Sequence, residues 1–353
     1  MESFYRTHKY LVNKVHSPVP RMLMHEIDWS HRLIGIKGSR GVGKTTFLLQ
    51  YAKDKFGDDA SCLYINFNSF YFTEHTLVEF AGDFYKRGGK TLLIDQTFKY
   101  ENWSKELREC YELYPHLKIV FSGSSVMRLI EDNDDLADIV TVYNLRGFSF
   151  REYLNLKCKT ELQSLKLSDI IEGNYTEFLA ELPGFELVEK HFLDYLHHGY
   201  YPFFLENRNY SENLLKTMNM MLEVDILLIK QIELKYLSKI RKLLYMLLKE
   251  APFSMNVSNL SSEIETSRAT VMNYIKYLKD ARLLNLLYEI NDENSKKPKQ
   301  VFAQNTNIMH AVYPDRVDQQ SEYKTFAYNA LNARHKINSD RKSTRLNSSH
   351  GII

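Results

Sequence analysis

The sequence predicts an α/β chain: a parallel sheet covered by helices, then a helical region, then a smaller helix–hairpin module. Three observations carry this. Between residues 32 and 143, short apolar runs alternate with helical stretches, as strands joined by crossover helices do. One junction in that series is the glycine-rich run Gly38-Ser39-Arg40-Gly41-Val42-Gly43-Lys44-Thr45. Further on, three helical stretches are followed by two strand-like runs around a basic turn.

The elements follow in order. Arg32–Lys37 is an apolar run entering the glycines and predicts a buried strand; Thr45–Ala52 leaves them with helical character. Ser61–Phe67 predicts a strand and Thr76–Lys86 a helix, and Gly88-Gly89 turns the chain into a strand over Thr91–Asp95. A helix over Ser104–Tyr114 ends before Pro115, Leu117–Phe121 is the next strand, closing with Ser122-Gly123-Ser124-Ser125, and Ile139–Tyr143 is a fifth. Such a sheet is buried on both faces and places its site at the carboxyl ends of the strands.

Strand, glycine-rich loop and helix in that order turn the motif into a phosphate-binding loop. Gly38, Gly41 and Gly43 let successive backbone N–H groups face an anion. The N-terminus of the following helix adds partial positive charge. Ser39, Arg40, Val42 and Thr46 complete the expected nucleotide-binding set. Lys44 is expected to bridge the terminal phosphates and the Thr45 hydroxyl to ligate Mg²⁺. Asp95 ends an apolar strand about fifty residues on, and its carboxylate is expected to hold the same Mg²⁺, directly or through water. A whole strand–helix unit separates the loop from Asp95, which predicts another strand between them. This is the arrangement of additional-strand P-loop ATPases rather than of simple kinases. A hydroxyl among Ser122–Ser125, with Ser124 the chosen candidate, could reach the terminal phosphate or its water; Ser and Gly also suit a plain turn.

Composition narrows the class. The 353 residues allow two or three domains, with 44% hydrophobic and 25% charged residues, 8 Pro and 14 Gly. A formal net charge of +2 gives no global field toward nucleic acid or membrane. Cys62, Cys110 and Cys158 are odd in number and fit no zinc spacing, which suggests a reducing cytoplasm. No apolar run approaches a membrane span, and Met1–Tyr10 has no signal-peptide core.

With these segments in view, the chain resembles the prokaryotic AAA-type ATPases in which a P-loop domain is fused to a winged-helix segment and a C-terminal domain of unknown function. The likeness rests on Gly38–Thr46, Leu92–Trp103 (LLIDQTFKYENW), Lys118–Ser125 (KIVFSGSS), Leu145–Leu154 (LRGFSFREYL) and Gly199–Pro202 (GYYP), and covers roughly residues 5–338. It implies ATP and Mg²⁺ as cofactors, an ATPase activity, and catalytic roles at Lys44, Asp95, the position after Asp95, and Ser124. Two positions depart from the family. The Asp is usually followed by Glu, in a stretch close to LDEIHKYPNW; here Gln96 follows, and Phe98 stands where His is common. Gln hydrogen-bonds a water but cannot act as its base. Relatives often carry Arg after an Asp-Leu pair, whereas this chain has Ala137 and Asp138 after Leu136. Both changes point to slow turnover. Arg128, Arg146 and Arg151 remain as candidate arginine contacts, or as surface and salt-bridge residues. Phe148–Leu154 reads as packing that seats the next helix.

Residues 152–250 are mostly helical in pattern. The adjacent His197 and His198 lack the spacing of helical metal ligands and read as loop packing. Leu214, Leu215, Met218, Met221, Leu222 and Ile226 form a core stripe. Ile240–Leu248, Val257–Glu265 and a helix from Thr266–Thr270 onward precede strands at Leu283–Ile290 and Val301–Ala303, the winged-helix order. The third helix would present Arg268, Thr270, Asn273, Lys276 and Lys279 outward, with Lys296-Lys297-Pro298-Lys299 as a basic wing; DNA phosphates and a protein partner are both open as targets.

Gln319–Leu331 predicts a helix bearing Glu322. In the family such a helix opens a last domain distantly similar to restriction-endonuclease-like folds. The polar tail resembles read-through of sequencing-adaptor DNA and is expected to be foreign and disordered, the natural chain being cut near residue 338. The expected organisation is therefore 1–150 as the ATP-binding domain, 151–236 as a helical connector, 237–304 as the winged helix, 305–338 as the start of a truncated domain, and 339–353 as tail. The function read from these features is a cytoplasmic ATP-binding AAA-type hydrolase. Its slow, Mg²⁺-dependent turnover is coupled to movement of the winged-helix module. A non-hydrolysing nucleotide switch and an ATP-regulated DNA-binding protein are the alternatives.

Overall fold

The structure is a computed structural model that describes residues 1–15, 20–127, 134–206, 209–228, 231–289, 297–314 and 317–339. The chain divides into two compact units, Met1–Phe192 and Leu193–Ile353.

The first unit is built on five parallel strands: β1 (Leu33–Gly38), β2 (Cys62–Asn66), β3 (Thr91–Asp95), β4 (Lys118–Ser124) and β5 (Thr141–Asn144). Their order is β2-β3-β4-β1-β5. β4 therefore lies between the loop-bearing β1 and the Asp-bearing β3. The expected intervening strand is present, and it is one that comes later in the chain, while β2 lies outermost. Every residue of β3 is buried, as are Ile34, Ile36, Leu63, Ile65, Val120 and Phe121. Unbroken apolar runs are what a sheet covered on both faces requires. The strand register sets Gly38 beside Ser124 and Asn66 beside Asp95, so all the strands finish at one edge.

The outer edge of β2 would expose unpaired N–H groups. The helix Glu2–Lys14 meets it: the backbone N–H of Tyr64 donates to His8 Nδ1 at 2.9 Å. Burial pushes the His8 imidazole below its ordinary pKa, which keeps that nitrogen an acceptor. Phe4 on the same helix packs against Tyr71 and Phe80, with centroids 5.3 and 4.8 Å apart.

Two capping boxes explain where helices begin. Thr76 and Glu79 cap Leu77–Lys86, and Ser149 and Glu152 cap Phe150–Cys158. The second box does more than seat its helix. Glu152 Oε1 also accepts from Arg21 Nε at 3.1 Å, and both side chains are buried. Arg21 in turn donates to the carbonyls of Val42, Arg146 and Gly147 at 3.1, 2.6 and 3.0 Å. Its guanidinium lies 4.3 Å from the Phe148 ring centroid. One arginine thus joins the glycine-rich loop to the segment entering the next helix.

The second unit holds the helices Tyr210–Met220, Leu237–Lys249, Val257–Glu263, Arg268–Asp280, Thr306–Val312 and Gln319–Leu331. A four-stranded sheet accompanies them: β6 (Phe253–Ser254), β7 (Leu284–Glu289), β8 (Gln300–Ala303) and β9 (Asn338–Ser339), in the order β6-β8-β7-β9. β7 pairs antiparallel with β8 and parallel with β9. Of the expected core stripe, Leu214, Met218, Met221, Leu222 and Ile226 are buried, but Leu215 is 40% exposed. Leu215 is turned about 100° round the helix from Leu214, off the face that Leu214 and Met218 bury; after Met220 the helix widens into a π-helix over Met221–Leu228. His197 and His198 are the last residues of the helix Phe185–His198, not part of a loop. The GYYP segment follows, and its backbone is fixed by Asn307, whose Oδ1 accepts from Tyr200 N at 2.8 Å and from the Tyr210 hydroxyl at 2.5 Å. Of the expected tail at 339–353, residues 340–353 lie outside the described residues, while Ser339 is ordered in β9 and pairs with Glu289 of β7.

The Arg21–Glu152 pair makes a clear forecast. Burial alone would raise the Glu152 carboxyl, but Arg21 and the N–H groups of Ser149 and Met22 outweigh it and hold the group below the usual range. The ionised carboxylate therefore stabilises the fold above the unfolded pKa of about 4.3. That contribution disappears as pH falls through the lower folded value. Arg21→Met should cost about 3–5 kcal/mol at neutral pH by leaving a buried charge unpaired, and this deficit should narrow as pH falls and Glu152 becomes protonated. Denaturant melts across the acid limb check this; a deficit unchanged with pH would contradict it.

Candidate nucleotide site

The glycine-rich loop runs from the end of β1 to the helix Lys44–Phe56. Gly41 and Gly43 have φ of 84° and 96°, the left-handed region that glycine enters at little cost. Gly38 is required for a different reason: a Cβ there would come within 2.5 Å of the Leu145 carbonyl oxygen. Val42 is fully buried and anchors the loop, and Ser39 is buried beside it. Arg40 leans toward Phe98, with its guanidinium 5.9 Å from the ring centroid. Phe98 thus packs against the loop at the position where the likeness suggested His.

Lys44 Nζ donates to the carbonyls of Gly38 and Ser39 at 2.8 and 2.9 Å. The ammonium is held over the loop within reach of anything seated on its N–H groups. Thr45 and Thr46 stand at the exposed first turn of the helix. The Thr45 hydroxyl donates to Asp95 Oδ2 at 2.6 Å, so the two residues expected to share a metal meet directly.

Asp95 is 1% exposed. Its Oδ2 also accepts from the Tyr64 hydroxyl at 2.8 Å, and its Oδ1 accepts from the Gln96 N–H at 3.0 Å and from the Ser122 hydroxyl. Burial, reinforced by the Asp95 charge, pushes the Tyr64 phenol well above its ordinary pKa, so Tyr64 remains a donor. Thr45, Asp95, Ser122 and Tyr64 form an all-oxygen donor set, the kind a hard cation such as Mg²⁺ selects. Thr45 and Asp95 would hold such an ion and the others orient the carboxylate.

Gln96 adopts the left-handed conformation, φ 59° and ψ 47°. Its N–H also lies 3.1 Å from Ser122 Oγ, and its side-chain Oε1 accepts from Asn68 Nδ2 at 2.9 Å. The position after Asp95 is therefore a fixed amide that can orient a water but takes no proton. Ser124 is buried at the end of β4 beside Gly38, whereas Ser122 is the serine that touches Asp95. The Ser125 hydroxyl is buried and has no hydrogen-bond partner among the described residues.

Of the arginine candidates, Arg128 lies outside the described residues, and Arg146 and Arg151 are half-buried. Where relatives were expected to carry Arg, Asp138 instead accepts from Arg108 Nη1 at 2.6 Å. Tyr64, Asn68 and Arg21 were not singled out from sequence. Tyr64 sits inside an apolar strand and Arg21 in an unpatterned segment, so neither carries a local signal; only the parallel register brings Tyr64 to Asp95.

In the second unit, Arg268, Asn273, Lys276 and Lys279 are exposed on the helix Arg268–Asp280, opposite the buried Val271, Tyr274, Ile275 and Leu278. Thr270 is half-buried, and its hydroxyl lies 2.8 Å from that of the N-cap Ser267. In the expected wing, Lys296 lies outside the described residues, and Lys299 pairs with Glu289 at 3.4 Å. No helix among the described residues is long and apolar enough to cross a membrane.

Comparison with known proteins agrees with the sheet. Residues 30–154 match a family model described as an AAA domain, and residues 189–306 match one described as a domain of unknown function, DUF8612. An uncharacterized protein of Methanocaldococcus jannaschii is 27% identical over 284 residues, covering 76% of this chain and 59% of that protein. This chain thus spans less than two thirds of that relative. Similar solved structures include AMPPCP-bound DnaA from Aquifex aeolicus (18% identity, TM-score 0.31, 76% of this chain and 91% of that one). They also include the Aeropyrum pernix ORC1 protein in complex with DNA (9%, 0.31, 94% and 93%) and C. elegans PCH-2 (16%, 0.27, 79% and 66%). The β2-β3-β4-β1-β5 order and the loop leaving β1 are those of a P-loop sheet, and the match to the AAA domain model falls on the same stretch, residues 30–154.

Proposed function

We propose that the chain binds ATP with Mg²⁺ at the loop Gly38–Thr46 and hydrolyses it slowly. The observation that carries this reading is the 2.6 Å hydrogen bond between Thr45 and the buried Asp95. Two oxygen ligands from the loop and from β3 are brought together beside an anion cradle. A bound Mg²⁺ would neutralise charge developing between the terminal phosphates. Lys44 would exchange its two loop carbonyls for phosphate oxygens, and Ser124 would face the terminal phosphate. Gln96, held by Asn68, would align a water without deprotonating it. Nucleotide state would then alter how the second unit, read as a helical connector and a winged helix, is offered to a partner.

Equilibrium binding of a non-hydrolysable ATP analogue tests the first step. Lys44→Ala removes charge-assisted hydrogen bonds worth about 1.5–3 kcal/mol, so affinity should fall roughly 10- to 150-fold. Equal, weak binding by both proteins would contradict the site. Phosphate release tests the second step: Gln96→Glu supplies a base and should raise the rate about a hundredfold or more. Brisk turnover by the wild type would refute slow hydrolysis.

A second reading is favoured by the outward face of Arg268–Asp280: ATP-regulated DNA binding. Neither Arg268 nor Lys276 has an ion-pair partner among the described residues, and both stand exposed on one helix with Asn273. Phosphate contacts from this face would make binding to duplex DNA salt-dependent. Lys276→Ala should weaken binding across all sequences and reduce the salt slope by about one. An unchanged slope would leave this face to a protein partner.

A further inference from the structure

A second cluster lies in the C-terminal unit, independent of the phosphate loop. His197 ends the helix Phe185–His198, His310 lies in Thr306–Val312, and Glu322 lies in the first turn of Gln319–Leu331. Their donor atoms all fall within 4.8 Å of one another. Glu322 Oε1 lies 2.6 Å from His310 Nε2 and 3.8 Å from His197 Nε2. The two imidazole rings stack with centroids 3.7 Å apart and planes 22° from parallel. One carboxylate oxygen is thus the common target of two imidazole nitrogens carried by separate helices.

We propose that His197, His310 and Glu322 form a divalent transition-metal site, with zinc its expected ion. Two imidazoles and a carboxylate are a donor set that zinc takes in tetrahedral sites, and imidazole nitrogen favours it over Mg²⁺ or Ca²⁺. Glu322 is 6% exposed; a buried carboxylate needs a compensating charge, which a dication supplies. Donor atoms around a tetrahedral zinc lie roughly 3.4 Å apart for bonds near 2.05 Å. To reach it, the His310–Glu322 pair has to open, the His197–Glu322 pair to close, and the His197 ring to turn out of its stack on His310 so that both in-plane lone pairs meet the ion. The His197 side chain, 46% exposed, has the freedom to move, and the exposed side leaves a fourth position for water or an incoming ligand. Metal binding would tie the ends of three helices together.

Zinc ion added to the chelator-washed full chain tests this, with a chromophoric chelator as competitor. One equivalent should bind and raise the thermal midpoint. His197→Ala alters an exposed residue and leaves the fold intact, yet should lose about tenfold or more in zinc affinity. Glu322→Gln keeps the shape and should lose at least as much, since even outer partners of a metal are worth 10- to 100-fold. Cobalt in place of zinc should show bands of a nitrogen–oxygen site without thiolate charge transfer, separating this site from the three cysteines. Failure of the wild type to bind micromolar zinc, uptake unchanged in His197→Ala, or a thiolate spectrum would each overturn the assignment.

Discussion

The carboxylate of Asp95 sits at the end of a fully buried strand with almost no exposure, and a charge so placed must be met by hydrogen bonds. Four groups meet it: the hydroxyls of Thr45, Tyr64 and Ser122, and the Gln96 N–H. They come from the loop after β1, from β2, from β4 and from the residue that follows β3. No two neighbouring strands could supply them all. The order β2-β3-β4-β1 is therefore bound up with this one charge, since it sets β2 and β4 on either side of β3 and β1 just beyond. The turn after β3 answers to it as well, because the left-handed Gln96 aims its N–H back at the carboxylate.

The same constraint shapes the chemistry proposed for the site. A metal binding between Thr45 and Asp95 would replace the hydrogen bond that joins them while leaving Tyr64 and Ser122 in place. The carboxylate is thus oriented before a ligand arrives, which lowers the cost of binding. Gln96 belongs to this arrangement through its backbone, whereas its side chain is engaged by Asn68. In the proposed site its neutral amide would stand in place of a base. This physical basis supports the proposal of a nucleotide held longer than it is spent.

The sheet was legible in the sequence because the buried strands carry short apolar runs and several of the breaks fall at glycine or proline, as at Gly57, Gly88-Gly89 and Pro115. Gly38, Gly43, Lys44, Thr45 and Asp95 were legible because a phosphate cradle demands those residue types at that spacing. Tyr64 was not, since a tyrosine in an apolar strand has an ordinary explanation, and Ser122 was legible only as one of the hydroxyls in Ser122–Ser125, its bond to Asp95 being set by the register of β3 and β4. Arg21 was hidden for the same reason: its partners Val42, Arg146 and Glu152 are brought to it by tertiary structure. Leu215 shows the converse, an apolar residue adjacent to the stripe that stays exposed because it is turned about 100° from the buried Leu214. His197 was read as packing because its neighbour His198 offered no ligand geometry, while its real companions lie on two later helices.

The measurement that bears most directly on the central claim is the Mg²⁺ dependence of ATP-analogue binding in the wild type and in Asp95→Asn. Asn keeps the size of the side chain and removes the charge that would hold the ion. The account predicts that Mg²⁺ tightens binding to the wild type and has little effect on Asp95→Asn. Equal tightening in both proteins would contradict it.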